Sequence, residues 1–387
     1  MGSYCCCCKG VDETNKSKEN SNPNSNPKGP TDHKNIGNNG QKLFKLDVED
    51  NDNDQKKIIE DEKLANLKIS AKGGQSAYGK LKNNKKEEKK KALSASNYNS
   101  LGLVSKESKE FQIVREYLAT KNYQLIESIG SGNYAEVYKV MTEKNRLVAV
   151  KVIDLTKTND NYRIQFLPRE VDIIRRLRHP GIIKTYEVSQ TVNRIFMIME
   201  FCSYGTVTIW LRDNGALPEP VVWEFITRIL EGLDYMHSLK IAHRDLKLEN
   251  ILINQRLYPK LSDFSFSMII DEKEMQSTTF CGSLPYFSPE ILQRKPYNPF
   301  ISDVWSLGVC FYVMICDGLP FKIDDDKQML NKQLERDWDF KKRVKNKLSY
   351  ELKIMIGKML EPDVTKRATT QTLMNDPWIK TQPKPLE

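Results

Sequence analysis

The types and spacing of four polar residues near the middle of the chain are the most informative feature of the sequence. Asp245, Lys247 and Asn250 lie within one short segment, and Asp263 follows soon after. Transfer of a phosphoryl group asks a protein for positioning and neutralisation of charge more than for covalent chemistry. In such a reaction Asp245 can accept a hydroxyl proton, and Lys247 can contact the moving phosphate. Asn250 and Asp263 carry the hard oxygen ligands that suit Mg²⁺, so the set predicts phosphoryl transfer.

A glycine-containing segment, residues 129–137, lies upstream between two strand-like stretches. Gly130 and Gly132 allow backbone N–H groups to approach a phosphate closely. The segment lacks a third glycine, because Ala135 stands at that position. By itself this pattern is a weak indication of a phosphate-binding loop.

Two charged residues complete the pattern. Lys151 ends a strand-like run of small apolar residues, and it can contact the α- and β-phosphates of a nucleotide. Glu170 opens an amphipathic helical stretch and can pair with Lys151. Either residue alone would most often be a solvated charge, but their order along the chain matches the motif set of protein kinases.

The chain from about residue 123 to residue 379 resembles a eukaryotic protein kinase catalytic domain, most closely the calmodulin-dependent kinase group. Further matches are Ser288-Pro289-Glu290, the segment 303–308, and Arg367 as the expected partner of Glu290. The resemblance implies an α+β, two-lobed fold. A small antiparallel β-sheet lobe with one helix (123–200) would precede a mainly helical lobe (204–380), and both would follow a long disordered segment.

The resemblance also implies ATP and Mg²⁺ as cofactors, and protein serine/threonine hydroxyls as substrates. The expected catalytic residues are Asp245, Lys247, Lys151 and Glu170, and the expected metal ligands are Asn250 and Asp263. The expected nucleotide-binding residues are Ile129, Gly130, Ser131, Gly132, Val137, Ala149, Lys151, Met199, Glu200 and Cys202. Thr279 aligns with the family's regulatory phosphosite.

Departures from the family pattern leave a second reading open. Ser265 replaces the glycine of Asp-Phe-Gly, and Ala135 replaces the last glycine of the loop. The chain is therefore either an active kinase, since every catalytic group is present, or an impaired pseudokinase that serves as a membrane scaffold.

The expected phosphosite has its own departures. Phe166 and Met268 stand where many relatives carry basic residues that hold the phosphate, which leaves Arg244 nearly alone. Acidic residues in the same segment could partly mimic the phosphate; they are Asp271, Glu272 and Glu274. We therefore expect partial activity without phosphorylation of Thr279.

The first part of the chain, residues 1–110, is rich in Asn, Lys, Ser, Gly and Asp and poor in aromatic residues. Such a segment buries too little apolar surface to offset its ordering entropy, so we expect disorder. Its tip predicts lipidation at five residues: Gly2 for myristate, and Cys5, Cys6, Cys7 and Cys8 for palmitate. Cys6 occupies the position where myristoylation favours Ser or Thr, and an unmodified cysteine-rich tip is the alternative.

Two lipid chains would give a stable anchor where a single chain gives only marginal binding. The formal net charge is +9, and lysines between residues 80 and 91 could add attraction to an anionic leaflet. These lysines lack interleaved aromatic residues, which disfavours a nucleic-acid partner. We therefore expect a monomer at the cytoplasmic face of a membrane, most plausibly the plasma membrane, with a cytosolic pool. Its partners would be protein substrates, ATP and the membrane surface.

Overall fold

The computed structural model describes residues 4–5, 42–45, 108–132, 134–271, 275–321 and 325–381. Most of the segment predicted to be disordered lies outside these ranges, as do Gly2, Cys6, Cys7 and Cys8. Two short strands of that segment are described by their backbone, β1 (Tyr4–Cys5) and β2 (Lys42–Lys45).

A six-stranded antiparallel sheet forms the amino-terminal lobe. It contains β2 and the strands β3 (Gln124–Ser131), β4 (Ala135–Met141), β5 (Leu147–Asp154), β6 (Thr185–Gln190) and β7 (Arg194–Glu200). Their order across the sheet is β2-β6-β7-β5-β4-β3. The two-lobed α+β fold expected from the resemblance is thus observed.

The central strand β5 has two buried faces. Val148, Val150 and Val152 point to one face, whereas Ala149 and Lys151 point to the other. Alternation along a strand separates the two sets, and β-branched residues suit a pleated surface. The second face looks toward the other lobe, so the strand itself aims Lys151 into the interlobe cleft.

A helix that the sequence reasoning missed covers the first face. Helix α1 (Lys109–Ala119) buries Val114 and Leu118 against the valines of β5. The ring of Tyr117 stacks on Phe196 with centroids 3.8 Å apart, and its hydroxyl lies 2.8 Å from Ser189 Oγ. The amino-terminal lobe of the described chain therefore carries this helix in addition to the expected one, α2 (Leu167–Arg176).

Helices dominate the second lobe. They are α3 (Val207–Asn214), α4 (Glu219–Ser238), α5 (Pro289–Leu292), α6 (Pro299–Cys316), α7 (Asp326–Leu334), α8 (Lys342–Lys345), α9 (Tyr350–Met359), α10 (Thr370–Met374) and α11 (Pro377–Lys380). Helix α6 is long and apolar enough to cross a membrane, but 78% of that stretch is buried inside the fold. It is packed against α4 and α9 as the core helix of this lobe.

Five short strands accompany these helices: β8 (Ile241–Ala242), β9 (Ile251–Ile253), β10 (Pro259–Leu261), β11 (Met268–Ile269) and β12 (Cys281–Gly282). β9 pairs with β10, and β8 pairs with β11. The backbone of β1 pairs with β12, so that Cys5 lies opposite Cys281. These pairings place the predicted catalytic residues on loops between short paired segments.

A buried ion pair anchors the end of the segment that follows the site. Arg367 Nη1 and Nη2 donate to the carboxylate of Glu290 at 2.7 and 2.9 Å, and the guanidinium lies 5.0 Å from the centre of the Trp305 ring. The partnership expected from the sequence is therefore present, and its bidentate form satisfies two charges that would be costly to bury unpaired.

The packing of α1 leads to the first prediction. Leu118→Ala should lower the free energy of unfolding by about 2–5 kcal/mol, since the side chain is fully buried and its truncation leaves a cavity. Chemical denaturation provides the measurement. Gln112→Ala, on the exposed side of the same helix, is the control and should change the free energy little. Equal values for both variants would contradict the packing of α1.

Candidate active site

Three charged side chains from different elements meet in the interlobe cleft. Lys151 Nζ on β5 donates to Glu170 Oε1 at 2.8 Å and to Asp263 Oδ1 at 3.0 Å. Glu170 is buried on α2, and Asp263 lies in the loop after β10. The lysine therefore ties the sheet and helix of one lobe to a carboxylate of the other.

The pKa shifts of this cluster follow from its burial and its charges. Burial by itself would lower the pKa of Lys151, but Asp263 and Glu170 outweigh it and hold the pKa well above its usual value. Burial by itself would raise the pKa of Asp263, but Lys151 and the hydroxyl of Ser265 lower it to about 2. Lys151 and Asp263 are thus both charged at neutral pH.

Ser265, the residue that departs from the family pattern, has a partner in the site. Its hydroxyl lies near the carboxylate of Asp263 and helps to lower the pKa of that group. Phe264, which lies between Asp263 and Ser265 in the chain, is buried, and its ring centroid is 5.6 Å from that of His243. The serine accordingly favours the ionised carboxylate, and the aromatic residue remains packed in the core.

A second hydrogen-bonded cluster surrounds Asp245. Its Oδ2 accepts from Lys247 Nζ at 2.8 Å and from Asn250 Nδ2 at 3.1 Å, and its Oδ1 accepts from Ser283 Oγ at 3.0 Å. Lys247 Nζ also donates to Ser283 Oγ at 3.0 Å. Burial raises the pKa of Asp245, while the charge of Lys247 opposes the shift. The carboxylate is held in one orientation, as a proton acceptor must be.

The loop that carries Asp245 depends on a carboxylate from helix α6. Arg244 adopts a left-handed backbone conformation with φ of 63°, which costs energy in a non-glycine residue. Asp303 Oδ1 accepts from Arg244 N, and its Oδ2 accepts from His243 N, both at 2.8 Å. These bonds hold the strained loop in place.

Gly282 packs directly against the same loop. Its φ is +117°, and a Cβ there would lie 2.8 Å from the carbonyl oxygen of Arg244 and 3.7 Å from Asp245 Oδ1. A side chain would collide with the loop backbone. The glycine therefore lets β12 approach the Asp245 cluster, and it brings Ser283 within hydrogen-bond distance.

The residues predicted to bind the nucleotide line the cleft on the side of the sheet. Val137 pairs with Lys151, and Ala149 pairs with Met199, which places these four side chains on one face. The other predicted positions are the end of β3, with Ile129, Gly130 and Ser131; the turn after it, with Gly132; and the interlobe connection, with Glu200 and Cys202. The strand pairing therefore places Val137, Ala149, Lys151 and Met199 on the cleft side of the sheet.

Two residues of the second lobe form hydrogen bonds to the interlobe connection. The carboxylate of Glu200 accepts from Lys260 Nζ at 2.9 Å and from Asn254 Nδ2 at 3.2 Å. Burial, with the charge of Glu200, raises the pKa of the neighbouring Cys202 thiol to about 12. The thiol stays neutral, and any polar contact to an adenine ring would come from the backbone of this segment.

The donor set suits magnesium more than a softer metal. Among the described residues, no group of three or more His, Cys, Asp or Glu side chains could hold a metal ion. Asp263, whose side chain is 39% exposed toward the cleft, and Asn250 offer hard oxygen atoms. One carboxylate and one amide fit Mg²⁺, which usually keeps waters and phosphate oxygens as its other ligands.

Thr279, the predicted phosphosite, is linked to Arg244 by two hydrogen bonds through the hydroxyl of Ser277. Ser277 Oγ accepts from Thr279 N at 3.2 Å and from Arg244 Nη1 at 3.3 Å. Arg244 Nη2 is buried and has no hydrogen-bond partner among the residues that the structure describes. A second arginine lies close by, since burial and then the charge of Arg244 lower the pKa of Arg169. Arg169 therefore adds positive charge in the neighbourhood of Arg244.

Sequence reasoning missed several residues of the site. Ser283 replaces a threonine of the family motif and keeps its hydroxyl, which was a usable signal. Asp303 was noted only as part of the matching segment 303–308, although a buried carboxylate needs partners. Arg169 lies near Arg244, and the hydroxyl of Tyr162 donates to Glu170, because of how α2 and the turn before it pack. No sequence motif marks either residue.

Comparisons with known proteins agree with this geometry. The Protein kinase domain family model matches residues 123–379. The chain is 39% identical to mouse (Mus musculus) testis-specific serine/threonine-protein kinase 2 over 69% of its own length and 76% of that protein's. It is 36% identical to human (Homo sapiens) testis-specific serine/threonine-protein kinase 4, over 68% of its own length and 84% of that protein's.

A further relative is the probable serine/threonine-protein kinase MARK-A of Dictyostelium discoideum, 36% identical over 67% of this chain and 24% of that protein. The family match covers the sheet lobe, the helical lobe and the cleft with both carboxylate clusters. The chain therefore belongs to the protein kinase family, as a protein serine/threonine kinase.

Proposed function

We propose that the chain is an active kinase that transfers the γ-phosphoryl group of Mg²⁺-bound ATP to serine and threonine hydroxyls of proteins. The observation that carries this proposal is the simultaneous formation of two clusters in one cleft. Lys151 contacts both Glu170 and Asp263, and Asp245 contacts both Lys247 and Asn250. The groups that phosphoryl transfer requires are thus assembled together in one cleft.

Each cluster has a distinct task in this proposal. Asp245 receives the proton of the substrate hydroxyl, and Ser283 fixes the orientation of its carboxylate. Lys247 neutralises charge on the transferred group. Lys151, positioned by Glu170, contacts the α- and β-phosphates.

Asp263 and Asn250 would hold the metal. When bound, Mg²⁺-ATP supplies the phosphoryl group and the metal charge that neutralises its phosphates. The low pKa of Asp263 keeps its carboxylate ionised for this role at neutral pH. Ser265 favours the ionised form of Asp263 and does not remove a ligand, which favours the active kinase over the pseudokinase alternative.

Transfer of labelled phosphate from ATP to a generic protein substrate tests the proposal. Asp245→Asn and Lys151→Met should each lower the rate by at least about a hundredfold, because one removes the proton acceptor and the other the phosphate-binding charge. Lys144→Met, in the exposed turn after β4, is the matched control and should stay near the wild-type rate. A folded, ATP-binding wild type without transfer would favour the scaffold.

The phosphosite is a second part of the proposal. A phosphate on Thr279 would lie near the unpartnered Arg244 Nη2 and the charge of Arg169. Asp271 is described as exposed, whereas Glu272 and Glu274 lie outside the described residues. We propose that phosphorylation raises activity without being required for it.

The corresponding prediction uses Thr279→Ala beside stoichiometrically phosphorylated wild type. We expect the alanine variant to keep a measurable fraction, roughly a tenth or more, since the site clusters form without a phosphate. Initial rates at saturating ATP provide the measurement. Thr278→Ala, the exposed neighbour, is the control. An inactive Thr279→Ala enzyme that folds and binds ATP would overturn this part.

Membrane attachment is the third part. Lipid chains on Gly2 and on the run Cys5–Cys8, together with nearby lysines, would tether the kinase to the cytoplasmic face of a membrane. The support for this part is the sequence of the tip, and most of the tip lies outside the described residues.

Metabolic labelling with clickable myristate and palmitate analogues, followed by membrane flotation, tests the tether. Gly2→Ala should abolish the myristate signal and shift the protein out of the membrane fraction, since a second anchor depends on the first. Gly10→Ala is the control for a glycine change in the same segment. Wild type that carries neither label would refute lipidation.

A further inference from the structure

A row of four aromatic rings crosses the top of the active site. Tyr134 and Tyr162 have ring centroids 5.3 Å apart, and Tyr162 and Phe166 are stacked at 6.5 Å. Phe166 in turn meets Phe266 edge-on at 6.3 Å. The row begins in the glycine-containing turn, passes the start of helix α2, and ends just after the Asp263 loop.

Tyr162 is the member of this row that also reaches the charged cluster. Its hydroxyl donates to Glu170 Oε2 at 3.3 Å, while Glu170 Oε1 accepts from Lys151. The two oxygens of the buried carboxylate are thus divided between the lysine and the tyrosine. Burial and the charge of Glu170 raise the pKa of Tyr162, so the hydroxyl keeps its proton and remains a donor.

The backbone around Tyr162 holds the ring in place. Residues Tyr162–Phe166 form a π-helical turn that runs directly into α2, and Tyr162 N donates to Asn159 Oδ1 at 2.8 Å. Such turns are rare and often occur at functional sites. The extra residue in the turn brings Tyr162 over the cleft, eight positions before Glu170.

The aromatic row stands where a charge contact is expected from the family resemblance. Phe166 replaces a basic residue, and its ring packs against Phe266. The carbonyl oxygen of Phe266 accepts from Arg244 Nε at 2.7 Å. Aromatic packing, which needs no phosphate, therefore links the glycine-containing turn and α2 to the loop that carries Arg244.

We propose that Tyr162 is a positioning residue for phosphoryl transfer, whose ring holds the glycine-containing turn through Tyr134 and whose hydroxyl holds Glu170 against Lys151. This inference rests on the proposed function and names the part of the fold that sets its geometry. The two tasks use different atoms of one side chain, so they can be separated.

Two substitutions separate them in steady-state kinetics. Tyr162→Phe keeps the ring and removes the bond to Glu170; it should lower kcat about two- to tenfold and leave KM for ATP nearly unchanged. Tyr162→Leu also removes the ring contact with Tyr134 and should raise KM for ATP about three- to tenfold. Tyr134→Leu should raise KM similarly, and the double variant should be no worse than the poorer single one.

A second measurement needs no nucleotide and no activity. Amide hydrogen exchange of the free protein should be faster in residues 129–137 and 167–176 for Tyr162→Leu, but only in 167–176 for Tyr162→Phe. Ile164→Ala is the matched control, because Ile164 lies in the same turn with 72% of its surface exposed. It should leave exchange and kinetics at wild-type values.

Distinct results would overturn the inference. Additive effects of Tyr134→Leu and Tyr162→Leu on KM, or wild-type exchange in residues 129–137 of Tyr162→Leu, would remove the link to the turn. An unchanged kcat in Tyr162→Phe would remove the role of the hydroxyl. A wild type that transfers no phosphate would contradict the proposed function, whereas the exchange results would still decide whether Tyr162 couples the turn to α2.

Discussion

The structure of the active site depends on one ammonium group held between two carboxylates. Lys151 comes from the sheet, Glu170 from the helix beside it, and Asp263 from the opposite lobe. Glu170 is fully buried and Lys151 is largely so, and buried charges are tolerated only when they are paired and hydrogen-bonded. The strand, the helix and the loop must therefore meet in one arrangement, and this requirement couples the two lobes.

On the opposite side of the cleft, the buried carboxylate of Asp245 must also be hydrogen-bonded, and there the donors come from one lobe. Asp245 needs donors for both oxygens, and it obtains them from Lys247, Asn250 and Ser283. Its loop includes a left-handed arginine that is stable only because Asp303 of the core helix accepts its backbone N–H. The apolar core of the helical lobe thus positions the catalytic loop through one buried carboxylate.

Apolar contacts support these charged clusters from outside. Helix α1 covers the outer face of the sheet that carries Lys151, and the aromatic row over the cleft connects the glycine-containing turn with α2. Packing of this kind is insensitive to salt and to phosphate, in contrast to exposed ion pairs. Because of this packing, the charged cluster of Lys151, Glu170 and Asp263 is complete in the described kinase domain before any modification of Thr279.

The sequence by itself determined the family, the two-lobed fold and the identity of the chemical groups. Asp245, Lys247, Asn250 and Asp263 could be found because phosphoryl transfer requires those side chains at a nearly constant spacing along local loops. Glu290 and Arg367 could be paired only through the family resemblance, since they are far apart in the chain.

The tertiary structure alone decided which other groups complete the site. Ser283, Asp303, Arg169 and Tyr162 reach it across long sequence separations or from an irregular turn, and no local periodicity records such contacts. Helix α1 was missed because its short apolar stripe, with Val114 and Leu118, gains its stability from the sheet beneath it. Ser265 in the sequence left an impaired kinase open, whereas in the fold its hydroxyl favours the ionised carboxylate of Asp263, because such an effect depends on where the backbone places each group.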